Sequence, residues 1–295
     1  MNKETLYDST LNLVKAALAE DIGRGDLTSL ACLEPGPARA KLVAKSPGIL
    51  SGLMPALLVF HVVDSANRVF PHRKDGEPFD VGDTILDISG FNLTILSSER
   101  VAINFLAHLS GIATLTNEFV KRVAGSDCRI LDTRKTTPGW RQLEKLAVEH
   151  GGGYNHRMGL YDMVLIKDNH IAAVGSVQSA VRSTRQYLNS PEFRVQFMAD
   201  AAQIKIEVEV TNEQQLREGI ESGVDRLLLD NQSVESLVQL VKLARSLNPK
   251  VELEASGNVS LDSVAAIAAT GVDFISVGAI THSAPVSDFS LQITG

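Results

Sequence analysis

Residues 132–170 read DTRKTTPGWRQLEKLAVEHGGGYNHRMGLYDMVLIKDNH. The apolar run from Cys128 to Asp132 predicts a strand that delivers Thr133, Arg134 and Lys135 into a Thr-Thr-Pro-Gly turn. A short helical pattern follows, then Gly151, Gly152 and Gly153, then Asn155, His156 and Arg157. A second apolar run, Met163 to Ile166, delivers Lys167, Asp168 and Asn169. Strand, helix and strand in this order is the unit of a parallel α/β sheet. The whole chain carries a formal net charge of −7. Cations repeated at strand ends and in glycine loops therefore call for a cause, and the simplest is a small ligand with several negative charges.

The same alternation continues downstream. Strand-like runs fall at 129–132, 163–166, 204–210, 226–229, 251–254 and 274–277, with helical patterns at 141–149, 174–188, 212–222, 234–247 and 261–270. Such alternation predicts a parallel sheet with right-handed crossovers. Six repeats fall short of the eight of a full (β/α) barrel, so an incomplete barrel and an open doubly wound sheet both fit. Either way, ligands bind beyond the carboxyl ends of the strands. Those ends carry Arg134 and Lys135, Lys167 and Asp168, Glu207 and Glu209, Asp230 and Asn231, Glu254 and Ser256, and Gly278. Nearly every one is charged or hydrogen-bonding, which points to function.

Upstream the order is different. Residues 5–20 have the spacing of one helix, stopped by Gly23 and Gly25. Strands are expected at 38–44, 67–71 and 84–88, and a helix at 55–64, an irregular mixture that reads as α+β. Residues 92–123 form a long helical pattern, read as two helices meeting near Gly111. Ala102, Phe105, Leu106, Leu109, Ile112 and Ala113 make its apolar stripe, while Arg100, Asn104, His108 and Gly111 share a polar face. Glycine inside a helix costs stability, so a close approach is expected at Gly111. Two domains follow, with the boundary between Ser110 and Thr116.

At 295 residues the chain can bury a large core, and 44% hydrophobic residues with a mean hydropathy of +0.05 fit an ordinary globular protein. The acidic balance without a basic run argues against nucleic acid. The N-terminus is charged and lacks an apolar core, and the longest apolar stretch, 49–63, is broken by Ser51, Gly52, Pro55 and His61, so no leader or membrane span is expected and the protein reads as cytoplasmic. Cys32 and Cys128 form neither a disulfide framework nor a metal spacing and are expected as reduced core thiols.

Arginine suits a carboxylate through its planar fork, and lysine serves as a mobile point charge for carboxylate or phosphate. Arg134, Lys135, His156, Arg157 and Lys167 are accordingly read as an anion-binding set. Lys167, following an apolar run, is expected to be partly buried and to need an anion or carboxylate partner. Glu207 and Glu209 alternate with valines and so face one side of their strand. Glu209 with Asp230 suits ribose hydroxyls or a Mg²⁺ ion carried by pyrophosphate, with Glu207 second to them. Ser256, Gly257 and Asn258, and Gly278 with Ala279, are small residues whose backbone N–H groups fit a phosphate as well as an ordinary turn.

DTRKTTPG, EHGGGYNHRMGLYD and LIKDNH resemble the signature of the quinolinate phosphoribosyltransferase family, the decarboxylating enzymes of pyridine nucleotide synthesis. The likeness continues in EDIGRGDLTS (20–29), ERVAINFLAHLSGIAT (99–114), EVEV (207–210), LLLDN (227–231), EASGNVS (254–260) and GVDFISVGAITHS (271–283). The resemblance implies an α/β fold, an incomplete (β/α) barrel over 113–279 preceded by an α+β sandwich domain over 1–112, joined by the tail 280–295, as in type II phosphoribosyltransferases. It implies transfer of phosphoribose from phosphoribosyl pyrophosphate (PRPP) to quinolinate with Mg²⁺. Lys135, Lys167, Glu209 and Asp230 would be catalytic. Arg100, Thr133, Arg134, His156 and Arg157 would bind substrate, and Ser256, Gly257, Asn258, Gly278 and Ala279 would close on the 5-phosphate. It also implies a homodimer, or a higher oligomer, in which Arg100 enters the neighbouring subunit's site. Two departures stand out: the segment 186–202 is longer than usual and reads as an elaborated surface loop, and Asn258 replaces a common second glycine. Rival readings are a related phosphoribosyltransferase with another acceptor, including the paralogue linked to molybdenum transport, a Schiff-base aldolase using Lys167, and a phosphate-ester binding protein without turnover.

Overall fold

The computed structural model describes residues 3–294. Two compact units emerge, and neither is a single run of chain. The first comprises the chain to Asn117, Thr136–Gly153 and the tail from Ala279; the second comprises Glu118–Lys135 and Tyr154–Gly278.

In the first unit, α1 (Lys3–Ile22) ends where Gly23 and Gly25 take φ of +53° and +139°. Asp26 then caps α2 (Leu27–Cys32), its carboxylate accepting from Ser29 N at 3.0 Å and Ser29 Oγ at 2.5 Å. That capped turn is what the EDIGRGDLTS stretch builds. There follow β1 (Pro37–Ala44), β2 (Gly48–Ile49), α3 (Leu53–Val63), β3 (Arg68–Pro71), β4 (Pro78–Phe79) and β5 (Thr84–Phe91). Strands β3, β5 and β1 form an antiparallel sheet that is completed by β12 (Phe289–Ile293), which pairs with β1 from Ala40↔Ile293 to Ala44↔Phe289.

The expected helix pair after β5 is instead one helix, α4 (Asn92–Arg122), running unbroken through Gly111. A domain cut at residue 112 would fall in the middle of it. Gly111 is nonetheless a point of close approach: a Cβ there would collide with the Pro285 carbonyl oxygen. A neighbouring backbone substitutes for the break that the glycine suggested. The stripe from Ala102 to Ala113 is buried as patterned.

Next come β6 (Arg129–Leu131), α5 (Arg141–His150), β7 (Val164–Ile166), α6 (Asp168–Val174), α7 (Val177–Leu188) and α8 (Pro191–Phe197). These are followed by β8 (Ile206–Val210), α9 (Glu213–Glu221), β9 (Arg226–Asp230), α10 (Val234–Leu247), β10 (Glu252–Ser256), α11 (Val264–Ala268), β11 (Phe274–Ser276) and α12 (Ala279–His282). Helix α5 packs in the first unit, where Trp140 stacks on Phe105 with centroids 4.7 Å apart and Glu144 Oε1 lies 2.8 Å from His108 Nε2. The polar face of α4 is thus solvent only at Arg100 and Asn104. The long segment 186–202 is not a loop. Ser190 caps α8, and Tyr187, Phe193 and Phe197 pack on one another.

The second unit is a six-stranded parallel sheet in the order β6-β11-β10-β9-β8-β7. This order decides between the two candidate architectures. A doubly wound sheet reverses its winding partway, whereas here the order is a cyclic permutation of the chain order, as in a barrel. Strands β6 and β7 are the two edges, and a parallel bridge from Leu131 to Tyr154 stands beside β6. The fold is therefore an incomplete (β/α) barrel. On one face Val208, Val210, Leu227, Leu229, Leu253, Ala255, Ile275 and Val277 are all buried, each contributing roughly 1.5–3 kcal/mol for a large aliphatic side chain.

The other face departs from barrel custom, in which branched apolar residues fill the interior. The register aligns Glu207 with Arg226 and Glu252, then Glu209 with Leu228 and Glu254, then Asp230 with Ser256 and Ser276. One side of the sheet is largely polar. Of the two thiols, Cys128 is buried as expected, but Cys32 is exposed and not part of the core.

Candidate active site

Asp132 anchors the first site loop. Fully buried at the end of β6, it accepts the His156 N–H at 2.7 Å on Oδ1, and its own N–H donates to the Tyr154 carbonyl at 3.1 Å. Residues 154–157 are thereby held beside the Thr133–Lys135 turn. Thr133 Oγ1 accepts from Lys135 N at 3.0 Å, so its hydroxyl shapes that turn. Arg134 is half-buried and Lys135 exposed.

Arg157 is half-buried, with Nη1 donating to the Met163 carbonyl at 3.1 Å. Burial, and after it the charge of Arg134, hold its guanidinium below the ordinary arginine value. The charges of Glu207 and Asp162 act the other way, so Arg157 stands in a partly dry place with charges of both signs around it. Lys167 caps the start of α6 from the end of β7. Its side chain is 47% exposed rather than buried, and Nζ lies 2.8 Å from Glu209 Oε2, the carboxylate partner that its position required.

His156 differs from the other cations. Its side chain is 7% exposed, Nδ1 accepts the Arg157 N–H at 2.7 Å, and Nε2 lies 3.0 Å from Glu207 Oε2 and 3.6 Å from Glu254 Oε2. Glu207 and Glu254 are both fully buried. Burial, and then the charge of Glu207, push the Glu254 carboxyl up to about 7, and burial raises Glu207 as well. Arg226 Nη1 donates to Glu254 Oε2 at 3.0 Å, and its Nη2 to Glu252 Oε2 at 2.9 Å, with the guanidinium 4.0 Å from the Phe274 ring centroid. Sequence reasoning missed Arg226 and Asp132. The signal for Arg226 was a lone cation opening an apolar strand at even spacing from Asp230.

On the later strands, Asp230 is half-buried and its Oδ2 accepts from Asn231 Nδ2 at 2.8 Å. By register Glu209 and Asp230 face the same side of the sheet. Ser256 is followed by Gly257 and Asn258, with φ of +104° and +49°. A Cβ on Gly257 would strike Asn231 Oδ1, so only glycine fits, while Asn258 tolerates the left-handed turn that a second glycine would take. Gly278 and Ala279 lie where β11 gives way to α12, and Arg100 is an exposed residue of α4.

Glu209 and Asp230 make two carboxylates on one face. Among the described residues, the group of three or more metal-capable side chains that comes together is His156, Glu207 and Glu254, not this pair. Two carboxylates suit a Mg²⁺ ion that keeps most of its ligands from phosphate and water.

The chain matches the family models described as quinolinate phosphoribosyl transferase, N-terminal domain, over residues 26–110, and C-terminal domain, over residues 112–292. It is 42% identical to the probable nicotinate-nucleotide pyrophosphorylase [carboxylating] of Bacillus subtilis (strain 168), covering 93% of this chain and 90% of that one. It is 39% identical to quinolinate phosphoribosyltransferase [decarboxylating] 2b, mitochondrial, of Nicotiana tabacum, covering 95% and 81%. The solved structure of the nicotinate-nucleotide pyrophosphorylase from Francisella tularensis superposes with a TM-score of 0.90 at 39% identity, covering 98% and 97%. With both halves matched end to end and its cations gathered at the mouth of an incomplete barrel, the chain belongs to the quinolinate phosphoribosyl transferase family.

Proposed function

We propose that the chain transfers phosphoribose from PRPP to quinolinate, releasing pyrophosphate and CO₂ and forming nicotinate mononucleotide for NAD synthesis, the pentosyltransferase reaction EC 2.4.2.19. The observation that carries this reading is the run of cations on the strand ends and the loop held beside them, Arg134, Lys135, Arg157 and Lys167, with the Arg134 charge reaching Arg157. Such an arrangement asks for a ligand with more than one negative charge, and quinolinate has two carboxylates.

Arg134, Lys135 and Arg157 receive those carboxylates and orient the ring. Lys167, held by Glu209, stands at the same strand ends. Ser256, Gly257, Asn258, Gly278 and Ala279 close on the 5-phosphate through backbone N–H groups. Mg²⁺ supplies neutralisation of the pyrophosphate when bound, and Glu209 and Asp230 would hold it or the ribose hydroxyls. As the C1–pyrophosphate bond breaks, positive charge grows on the ribose, and the carboxylates of Glu209 and Asp230 stabilise it. The pyridine nitrogen bonds to C1 and becomes cationic. The bond from C2 to its carboxylate then breaks, the electron pair staying on C2 beside the cationic nitrogen, and C2 takes a proton from water. Orientation and fixed charge carry the chemistry.

The exposed Arg100 of α4 completes the site of a second subunit in a homodimer, which a larger assembly would preserve. The reading takes the enzyme as cytoplasmic, without a membrane or nucleic-acid partner; no helix among the described residues is long and apolar enough to cross a membrane. The Schiff-base alternative fares poorly, because the Glu209 carboxylate beside Lys167 Nζ favours the ammonium form. Quinolinate loss that depends on both PRPP and Mg²⁺ is the test, and loss without PRPP would refute the reading.

A further inference from the structure

Beneath the arginines lies a set of buried groups that the reaction above does not use. Glu207 and Glu254 are fully buried, both oxygens of Glu207 and Oε1 of Glu254 lack an aligned donor, and His156 Nε2 stands 3.0 Å from Glu207 Oε2. Burying two carboxylates this way costs several kcal/mol, and an aliphatic interior would have avoided that cost. Something at this level of the barrel needs them.

A metal ion is the first candidate, since the ligand atoms of His156, Glu207 and Glu254 lie within 4.8 Å of one another. The hydrogen bond on the other ring nitrogen argues against it. Nδ1 accepts the Arg157 N–H at 2.7 Å and must therefore carry a lone pair. In a neutral ring the proton then sits on Nε2, 3.0 Å from Glu207 Oε2 though not aligned with it, and leaves no lone pair there for a metal. The same bond opposes an imidazolium, in which both nitrogens would be donors. His156 is thus neither a metal ligand nor an imidazolium. A proton held between Glu254 and Glu207 supplies the partner that the orphaned oxygens lack, while Arg226 Nη1 closes the far end at 3.0 Å from Glu254 Oε2.

We propose that Arg226, Glu254 and Glu207 form a buried ladder that locks His156 as its Nε2–H tautomer, and that His156 in turn fixes the Arg157 backbone, presetting that arginine for a carboxylate of the acceptor. His156 and Glu207 are then positioning residues. The part concerning the acceptor rests on the proposed function; the tautomer does not.

The test is an NMR measurement on the full chain labelled with ¹⁵N-histidine, using long-range ¹H–¹⁵N correlations that distinguish the two tautomers and the imidazolium. His156 is assigned by the signal lost in His156→Asn. The Nε2–H tautomer, both free and saturated with quinolinate, is expected. An imidazolium or an Nδ1–H ring in either state overturns the proposal, as does one Zn²⁺ bound per chain and lost in Glu207→Gln. Kinetics give a second arm. Glu207→Leu leaves a buried donor unpaired and is expected to raise the quinolinate KM about tenfold, with the PRPP KM within about twofold of wild type. Glu207→Gln can accept from Nε2–H and donate to Glu254, and is expected to restore the quinolinate KM to within about threefold. Equal defects in the two variants, or both KM values rising together, overturn the proposal. If quinolinate is not a substrate at all, the proposed function fails, while the tautomer is still read on the free chain.

Discussion

Lys167 Nζ and Glu209 Oε2, 2.8 Å apart, join the carboxyl end of β7 to that of the neighbouring strand β8. The lysine is half exposed, and the glutamate, 12% exposed, sits one residue before the end of its strand. Under the proposed function the pair stands where an acceptor and a ribose would meet. With its lysine half in solvent such a pair adds little stability, so its value is in the ligand that it orients.

Activity and stability are therefore expected to separate at the strand ends. Lys135→Ala and Lys167→Ala are each expected to lose at least ~100-fold in kcat/KM, with Tm within a few degrees of wild type because neither side chain packs. Steady-state kinetics and thermal unfolding of the two variants check this. Near-normal kinetics in both would return them to solvated loop charges.

Arg134 leads to a test of ligand binding. Arg134→Ala is expected to abolish the Tm increase produced by quinolinate. Differential scanning calorimetry with and without quinolinate reads the effect, and an undiminished increase would remove Arg134 from the site.

Much of this fold was legible in the sequence, because the later half repeats apolar strands of period two and helices of period 3.6. The polar face was legible only in part. Glu207 and Glu209 announced it by alternating with valines, but Arg226 precedes three leucines and Asp132 ends an apolar run, and neither spacing reveals a partner more than twenty residues away. The close approach that Gly111 announced was legible too, but not its partner, the Pro285 backbone 174 residues along the chain, nor that the helix would run unbroken through it. For His156, read in the sequence as one cation among five, spacing could not reveal the ring-nitrogen neighbours, the Arg157 N–H and Glu207.

Glu254 makes stability depend on pH. Its pKa rises from an ordinary 4.5 to about 7 in the folded chain, chiefly through burial and next through Glu207. Between those values the folded state binds more protons than the unfolded one. The contribution is thus fully present below pH 4.5 and is lost as pH rises through about 7. Glu254→Gln cannot ionise, so the fall in stability from about pH 5 to 8 should be shallower than in wild type. Urea unfolding across that range decides, and parallel curves would contradict the assignment.

Arg100 is expected to serve the partner's site. Arg100→Ala and Lys167→Ala are each expected to be inactive alone. In a hybrid dimer, one site keeps its own Lys167 and borrows an intact Arg100. Random subunit exchange at equal concentrations should restore roughly a quarter of wild-type activity. Exchange confirmed by mass spectrometry without recovered activity would place Arg100 in its own subunit's site or in none.

The most direct test of the central claim follows quinolinate labelled in its 2-carboxylate, incubated with PRPP and Mg²⁺. One labelled CO₂ should be released for each nicotinate mononucleotide formed. Nicotinate, which lacks that carboxylate and would leave the arginine cluster unpaired, should react at least ~10⁴-fold less efficiently. Turnover of nicotinate at a comparable rate, or nucleotide formed without CO₂, would contradict the account.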